Sequence, residues 1–135
     1  MTLADMNQLL SRFNGNSPAA NSALQKFDQE AGFRLPDDYL QFLQQTNGGE
    51  GFVGANAYII LWPIEELIKM NKAYEVAEYA PGLFLFGSDG GGEAYAFDKH
   101  SHDSIVTVPF VGMDLSLAEP QAATFQEFIE QLYRS

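Results

Sequence analysis

The chain has 135 residues, 46% of them hydrophobic and 19% charged, which is the composition of a globular protein and enough chain for one core. It has no cysteine, and its 18 acidic and 7 basic residues give a formal charge of −11. These counts exclude disulfides, thiolate chemistry and sulfur-bound zinc, and they argue against nucleic acid and anionic lipid as direct partners, because phosphate contacts need clustered Lys or Arg. The seven basic residues, Arg12, Lys26, Arg34, Lys69, Lys72, Lys99 and Arg134, are scattered along the sequence. A basic protein is the natural electrostatic complement, although acidity by itself also serves solubility.

Thr2 and Asp5 fit a helix start, and Leu3, Met6, Leu10 and Phe13 recur at helical spacing until Asn14-Gly15. Ser17-Pro18 offers a second start, with Leu24, Phe27 and Ala31 as the apolar stripe and Gly32 as the stop. Phe33 to Pro36 is an extended link. Pro36-Asp37-Asp38 opens a third helix that buries Tyr39, Phe42 and Leu43 and ends at Asn47-Gly48-Gly49. Phe52-Val53 and Tyr58 to Trp62 are expected strands. Pro63 starts a fourth helix, from Ile64 to about Tyr79, with Ile64, Leu67, Ile68 and Tyr74 turned inward.

The next stretch, Leu83 to Asp98, alternates bulky and small residues on either side of the turn Gly87-Ser88-Asp89-Gly90-Gly91-Gly92. It predicts a central hairpin whose first arm is apolar on both faces. Ile105 to Val108 is a further strand, and Val111 to Ala118 is either an edge strand or a loop. Thr124 to Glu127 is a capping box before an amphipathic helix carrying Phe125, Phe128, Ile129, Leu132 and Tyr133. This order predicts a single α+β domain spanning residues 1–135. Its central sheet is antiparallel-rich, with about four to six strands, covered by N-terminal helices, one inserted helix and a C-terminal helix.

Candidate chemistry is sparse. The glycine-rich turn lacks the Lys-Ser/Thr exit and following helix of a phosphate loop, and Glu93 at its exit repels anions. Asp89, Glu93, Asp98 and Asp103 match an EF-hand only at Asp89-Gly90. His100 and His102 would need a third metal ligand, for which Asp98 or Asp103 is the candidate, but the segment reads as an exposed turn. Ser88 sits in no nucleophile elbow, and Glu65-Glu66 face different ways on a helix. Trp62 reads as core. No catalytic residue, cofactor or metal is expected. The N-terminus lacks a basic flank and long apolar run, and no segment approaches a membrane span, so a cytoplasmic location is expected.

Three segments, in order, resemble the SUKH superfamily, which includes the fungal Smi/Knr-type cell-wall-assembly regulators and many bacterial immunity proteins. They are Gly32 to Gly49, with its Leu35-Pro36-Asp37-Asp38-Tyr39 and Asn47-Gly48-Gly49, then Phe86 to Asp98, and then Thr124 to Ile129. The resemblance implies an α+β domain used for protein recognition. Bacterial members are commonly immunity proteins that neutralise polymorphic toxins by direct binding. Many such toxins are nucleases, nucleases are often basic, and the resemblance implies an immunity function here. Fungal members carry long extensions that this sequence lacks, which makes a scaffold role the alternative. Small-ligand or metal binding at the hairpin is a further one. Asp89, Glu93 and Asp114, in or near turns beside the sheet, are the candidate partner contacts.

Overall fold

The computed structural model describes Met6 and residues 8–135. Among these residues seven strands form one sheet in chain order, β1 (Phe13–Gly15), β2 (Gly49–Val53), β3 (Ala57–Leu61), β4 (Leu83–Ser88), β5 (Glu93–Asp98), β6 (Ser104–Pro109) and β7 (Glu119–Ala122). Every neighbouring pair is antiparallel. Among the described residues from Asn21 onward the α-helices are α1 (Asn21–Glu30), α2 (Asp37–Gln45), α3 (Ile64–Ala73), α4 (Val76–Tyr79) and α5 (Phe125–Arg134). The α+β expectation holds, with seven strands where about four to six were expected.

The predicted hairpin is the middle of this sheet, and all six residues of β4 are buried. Phe86 is the hub of an aromatic cluster. Its ring stacks 4.4 Å from Phe97 and lies within 6.0 Å of Tyr39, Phe125 and Phe128, which α2 and α5 contribute. The buried hydroxyl of Tyr39 has no hydrogen-bond partner among the described residues, and burial pushes its pKa well above the usual phenol range. The capping box forms with its return bond shifted by one residue, to Ala123 N instead of Thr124 N. Thr124 Oγ1 accepts from Glu127 N at 3.1 Å, while Glu127 Oε2 reaches back to Ala123 N at 3.1 Å.

Several expected boundaries move, two of them because a tertiary contact overrides local preference. Thr2, Leu3 and Asp5 lie outside the described residues. Met6, Gln8 and Leu9 are helical, but Phe13 to Gly15 is strand β1, held by pairing with the glycine-bearing β2. The second helix starts at Asn21 instead of at Pro18. Asn16 N donates to Gly48 O, Asn47 N to Ser17 O and Ala19 N to Leu43 O, and these bonds keep residues 16–19 extended. The fourth helix breaks at Glu75, which is left-handed at φ 52°, so Tyr74 faces solvent beside Phe110 instead of the core. Tyr133 is likewise exposed. Residues 111–118 are a loop with a short 3-10 turn at Leu115–Leu117, and the edge strand follows at β7. Pro120 suits that edge, where one missing N–H costs no ladder bond.

The two halves of the sheet meet weakly. β3 pairs with β4 at Ile60–Ser88 and Leu61–Gly87, is followed by one bond from Trp62 N to Phe86 O at 3.1 Å, and then peels away. Asn71 of α3 takes the missing strand's place. Its Oδ1 accepts from Leu85 N at 2.8 Å and its Nδ2 donates to Leu85 O at 3.0 Å. One amide side chain thereby satisfies both backbone groups that β3 leaves open.

Candidate protein-docking surface

The glycine-rich turn between β4 and β5 is closed by its own side chains. Asp89 Oδ1 accepts from Gly91 N at 2.7 Å, Gly92 N at 3.1 Å and Glu93 N at 3.2 Å, and Ser88 Oγ accepts from Gly90 N at 2.8 Å. Gly90 at φ 80° and Gly92 at φ 154° supply the backbone that brings these N–H groups around one carboxylate. Partial desolvation would raise the Asp89 pKa, but the backbone donors of Gly91, Glu93 and Gly92 outweigh it and hold the group below its ordinary value. The donors a phosphate would need are thus already committed. The Ser88 hydroxyl is also engaged, in a residue that is itself buried.

The turn sits in a wider surface. Glu50 and Phe52 of β2, and Tyr58 and Ile60 of β3, share the outward face of the sheet, because the register pairs Phe52 with Tyr58 and Glu50 with Ile60. Their strand neighbours Val53, Ile59 and Leu61 point into the core. Phe52 and Tyr58 are 37% and 38% exposed, and their rings meet edge to face at 5.3 Å. Arg12 lies 5.1 Å from the Phe52 ring centre, and the Tyr58 hydroxyl donates to Glu50 at 2.5 Å. That hydrogen bond is the main reason the Tyr58 pKa is raised. The hairpin turn folds against this face, since a methyl built on Gly90 would lie 3.6 Å from Tyr58 Cδ1 and 3.8 Å from Ile60 Cδ1.

The loop after β6 leaves the sheet beside the same turn. Glu93 pairs with Pro109, and Phe110 N donates to Gly92 O at 3.0 Å. This loop exposes Val111 almost fully, along with Leu115 and Leu117. Asp114 lies in it, and its carboxylate accepts from Ser116 N at 2.9 Å and Ser116 Oγ at 2.7 Å, which lowers its pKa. The structure therefore puts Asp89 and Glu93 in one turn, and Asp114 in the loop that departs next to it. Tyr95, beneath the turn, has its pKa pushed up to about 12 by burial and by the charges of Asp89 and Glu93.

The remaining sequence candidates serve the fold or face solvent. His100 is exposed in the turn after β5, where its N donates to Asp98 Oδ1 at 3.0 Å. His102 is exposed and left-handed in the same turn. Among the described residues no group of three or more His, Cys, Asp or Glu could hold a metal ion. Trp62 is buried and lies 6.4 Å from Phe110. Glu65 accepts from Asn47 Nδ2 at 2.8 Å.

Two polar residues of the first signature segment have roles that spacing alone did not reveal. Asp38 Oδ2 caps the distant helix α5 by accepting from Gln126 N at 2.9 Å. Asn47 Oδ1 caps α3 by accepting from Ile64 N at 2.8 Å. Gly48, at φ 73°, passes so close to Leu61 and Trp62 that a Cβ would strike their backbone. The first segment thus ties two helix starts and the sheet together, and the second closes the central turn. These segments, in this order, are the ones by which the chain resembles the SUKH superfamily. Within it, the chain belongs to the SMI1 / KNR4 family (SUKH-1), whose model matches residues 18–131. It is also similar to the Uncharacterized protein YnaB of Bacillus subtilis (strain 168), at 33% identity over 75 residues, which is 56% of this chain and 47% of that protein. The match therefore spans about half of that relative's length. Among the described residues no helix is long and apolar enough to cross a membrane.

Proposed function

We propose that this chain is a non-enzymatic protein-binding module of the cytoplasm, an immunity protein that neutralises a cognate basic toxin by direct binding. The observation that carries the reading is the end of the sheet where an acidic turn, a partly exposed aromatic pair and an exposed apolar loop adjoin. Exposed aromatics at the centre of a contact supply most of its energy, and surrounding charges steer the approach and select the partner. Phe52 and Tyr58 are the anchors in this reading. Asp89, Glu93 and Asp114 form the acidic rim, and a nuclease is a toxin class whose basic surface complements it. Family membership supports a recognition role, and the excess of acid over base supports the sign of the partner.

Co-expression of the chain with a toxin encoded beside its gene tests the proposal. Rescued growth and a co-purified complex are expected, and neither rescue nor complex would overturn it. The second reading, a regulatory or scaffold role of the Smi/Knr type, is favoured by the same family membership. A gene that stands apart from any toxin would select it.

A further inference from the structure

The basic residues are dispersed in the sequence, but the fold gathers three of them. Lys26 of α1 and Lys69 and Lys72 of α3 line one cleft of about 330 Å³ between these packed helices, together with Phe27, Ile64 and Ile68. Each of the other four basic side chains has a partner. Arg34 pairs with Asp37 and Arg134 with Glu130, Arg12 lies over Phe52 and donates to Gly54 O, and Lys99 lies over Phe33 and Phe84. The three cleft lysines form no ion pair with any described residue.

Two acids line the same cleft, Glu30 and Glu65. Glu65 stands four residues before Lys69, the favourable spacing for a helical ion pair, yet it is turned to Asn47 Nδ2. Glu30 stands four residues after Lys26, the weaker orientation, and makes no ion pair with it. Lys69 and Lys72 are three apart on one helix face, where like charges repel. A bound anion would relieve that repulsion.

We propose that this cleft binds a phosphate-bearing small molecule, with the three ammonium groups on its phosphate oxygens and any apolar part against Phe27, Ile64 and Ile68. Lysine serves such groups as a mobile point charge, and the cleft is at the small end of the range for ligand sites, roughly 300–1,000 Å³. The chain's net charge opposes the approach of any anion, so binding depends on these local charges and weakens with salt. The site shares no residue with the proposed docking surface and stands independently of the toxin reading.

Calorimetric titration of the full chain with sodium tripolyphosphate and with ATP, at low and high salt, tests it. Saturable binding at low salt is expected, weakened about tenfold or more in Lys69→Ala/Lys72→Ala, as loss of charge-assisted bonds implies, and unchanged in Lys99→Ala. Circular dichroism verifies that each variant is folded. Tighter binding of ATP than of tripolyphosphate assigns a nucleotide, and equal binding assigns the phosphate group alone. No saturable binding of either, or equal binding by the wild type and the double lysine variant, would overturn the proposal.

Discussion

Asp38 and Asn47 on one side, and Phe52, Tyr58 and Glu93 on the other, represent two kinds of residue in this molecule. The first pair lies in the signature segment and spends its hydrogen-bonding groups inside the fold, capping α5 and α3 across long sequence separations. The second set sits at the open end of the sheet, where alternation along β2 and β3 turns aromatic rings outward. The contrast separates what identifies the family from what would select a partner. Signature residues such as these two serve the fold, and they say little about the ligand. Asp89 stands between the two groups, since it closes the turn and also contributes its charge to the rim.

Substitutions can test that division, and the largest effects belong inside. Gly48→Ala meets both a positive φ and the backbone of Leu61 and Trp62, so a loss of about 3 kcal/mol or more is expected in urea denaturation. Asn47→Ala removes the cap of α3 and the bond to Glu65, for about 2 kcal/mol, and Asp38→Ala removes the cap of α5, for about 1 kcal/mol. Asp37→Ala, beside Asp38 but exposed and held only by a 3.9 Å ion pair to Arg34, is expected to change stability by less than about 0.5 kcal/mol. Equal effects at Asp37 and Asp38 would erase the distinction between a carboxylate the fold uses and one that faces solvent.

Asp89 gives the intermediate case and a pH signature. Its folded pKa is depressed, so its stabilising contribution is complete above the ordinary carboxylate value of about 4. That contribution is lost as pH falls through the lower folded value. Asp89→Ala should therefore cost about 1 kcal/mol at pH 7, discounted for exposure. The gap to the wild type in urea midpoints should close at strongly acid pH. A gap that persists there would mean that Asp89 acts through something other than its charge.

The central hairpin, α2 and the capping box of α5 were legible because each rests on local chemistry: alternation, carboxylates at a helix start, and a Thr-x-x-Glu spacing. What was not legible depends on distant partners. Strand β1 exists because β2 offers its glycines, and residues 16–19 stay extended because Gly48, Asn47 and Leu43 take their hydrogen bonds. Asn71 repairs the edge of β4 from another element, which no spacing rule predicts. At the candidate surface the acidic residues could be named from their turns. Phe52 and Tyr58 carried a weaker signal, the alternation of Tyr58 and Ile60 with Ile59 and Leu61.

The largest effect on binding should fall on the two partly exposed rings, Phe52 and Tyr58. Phe52→Ala/Tyr58→Ala, compared with the wild type by thermal unfolding and by calorimetric titration with the purified neighbouring toxin, measures stability and affinity at once. A folded double variant with a lowered Tm, since the two rings pack on each other, and an affinity loss of about a hundredfold, the size expected when two anchors are truncated, are expected. Unchanged affinity in a folded double variant would contradict the account.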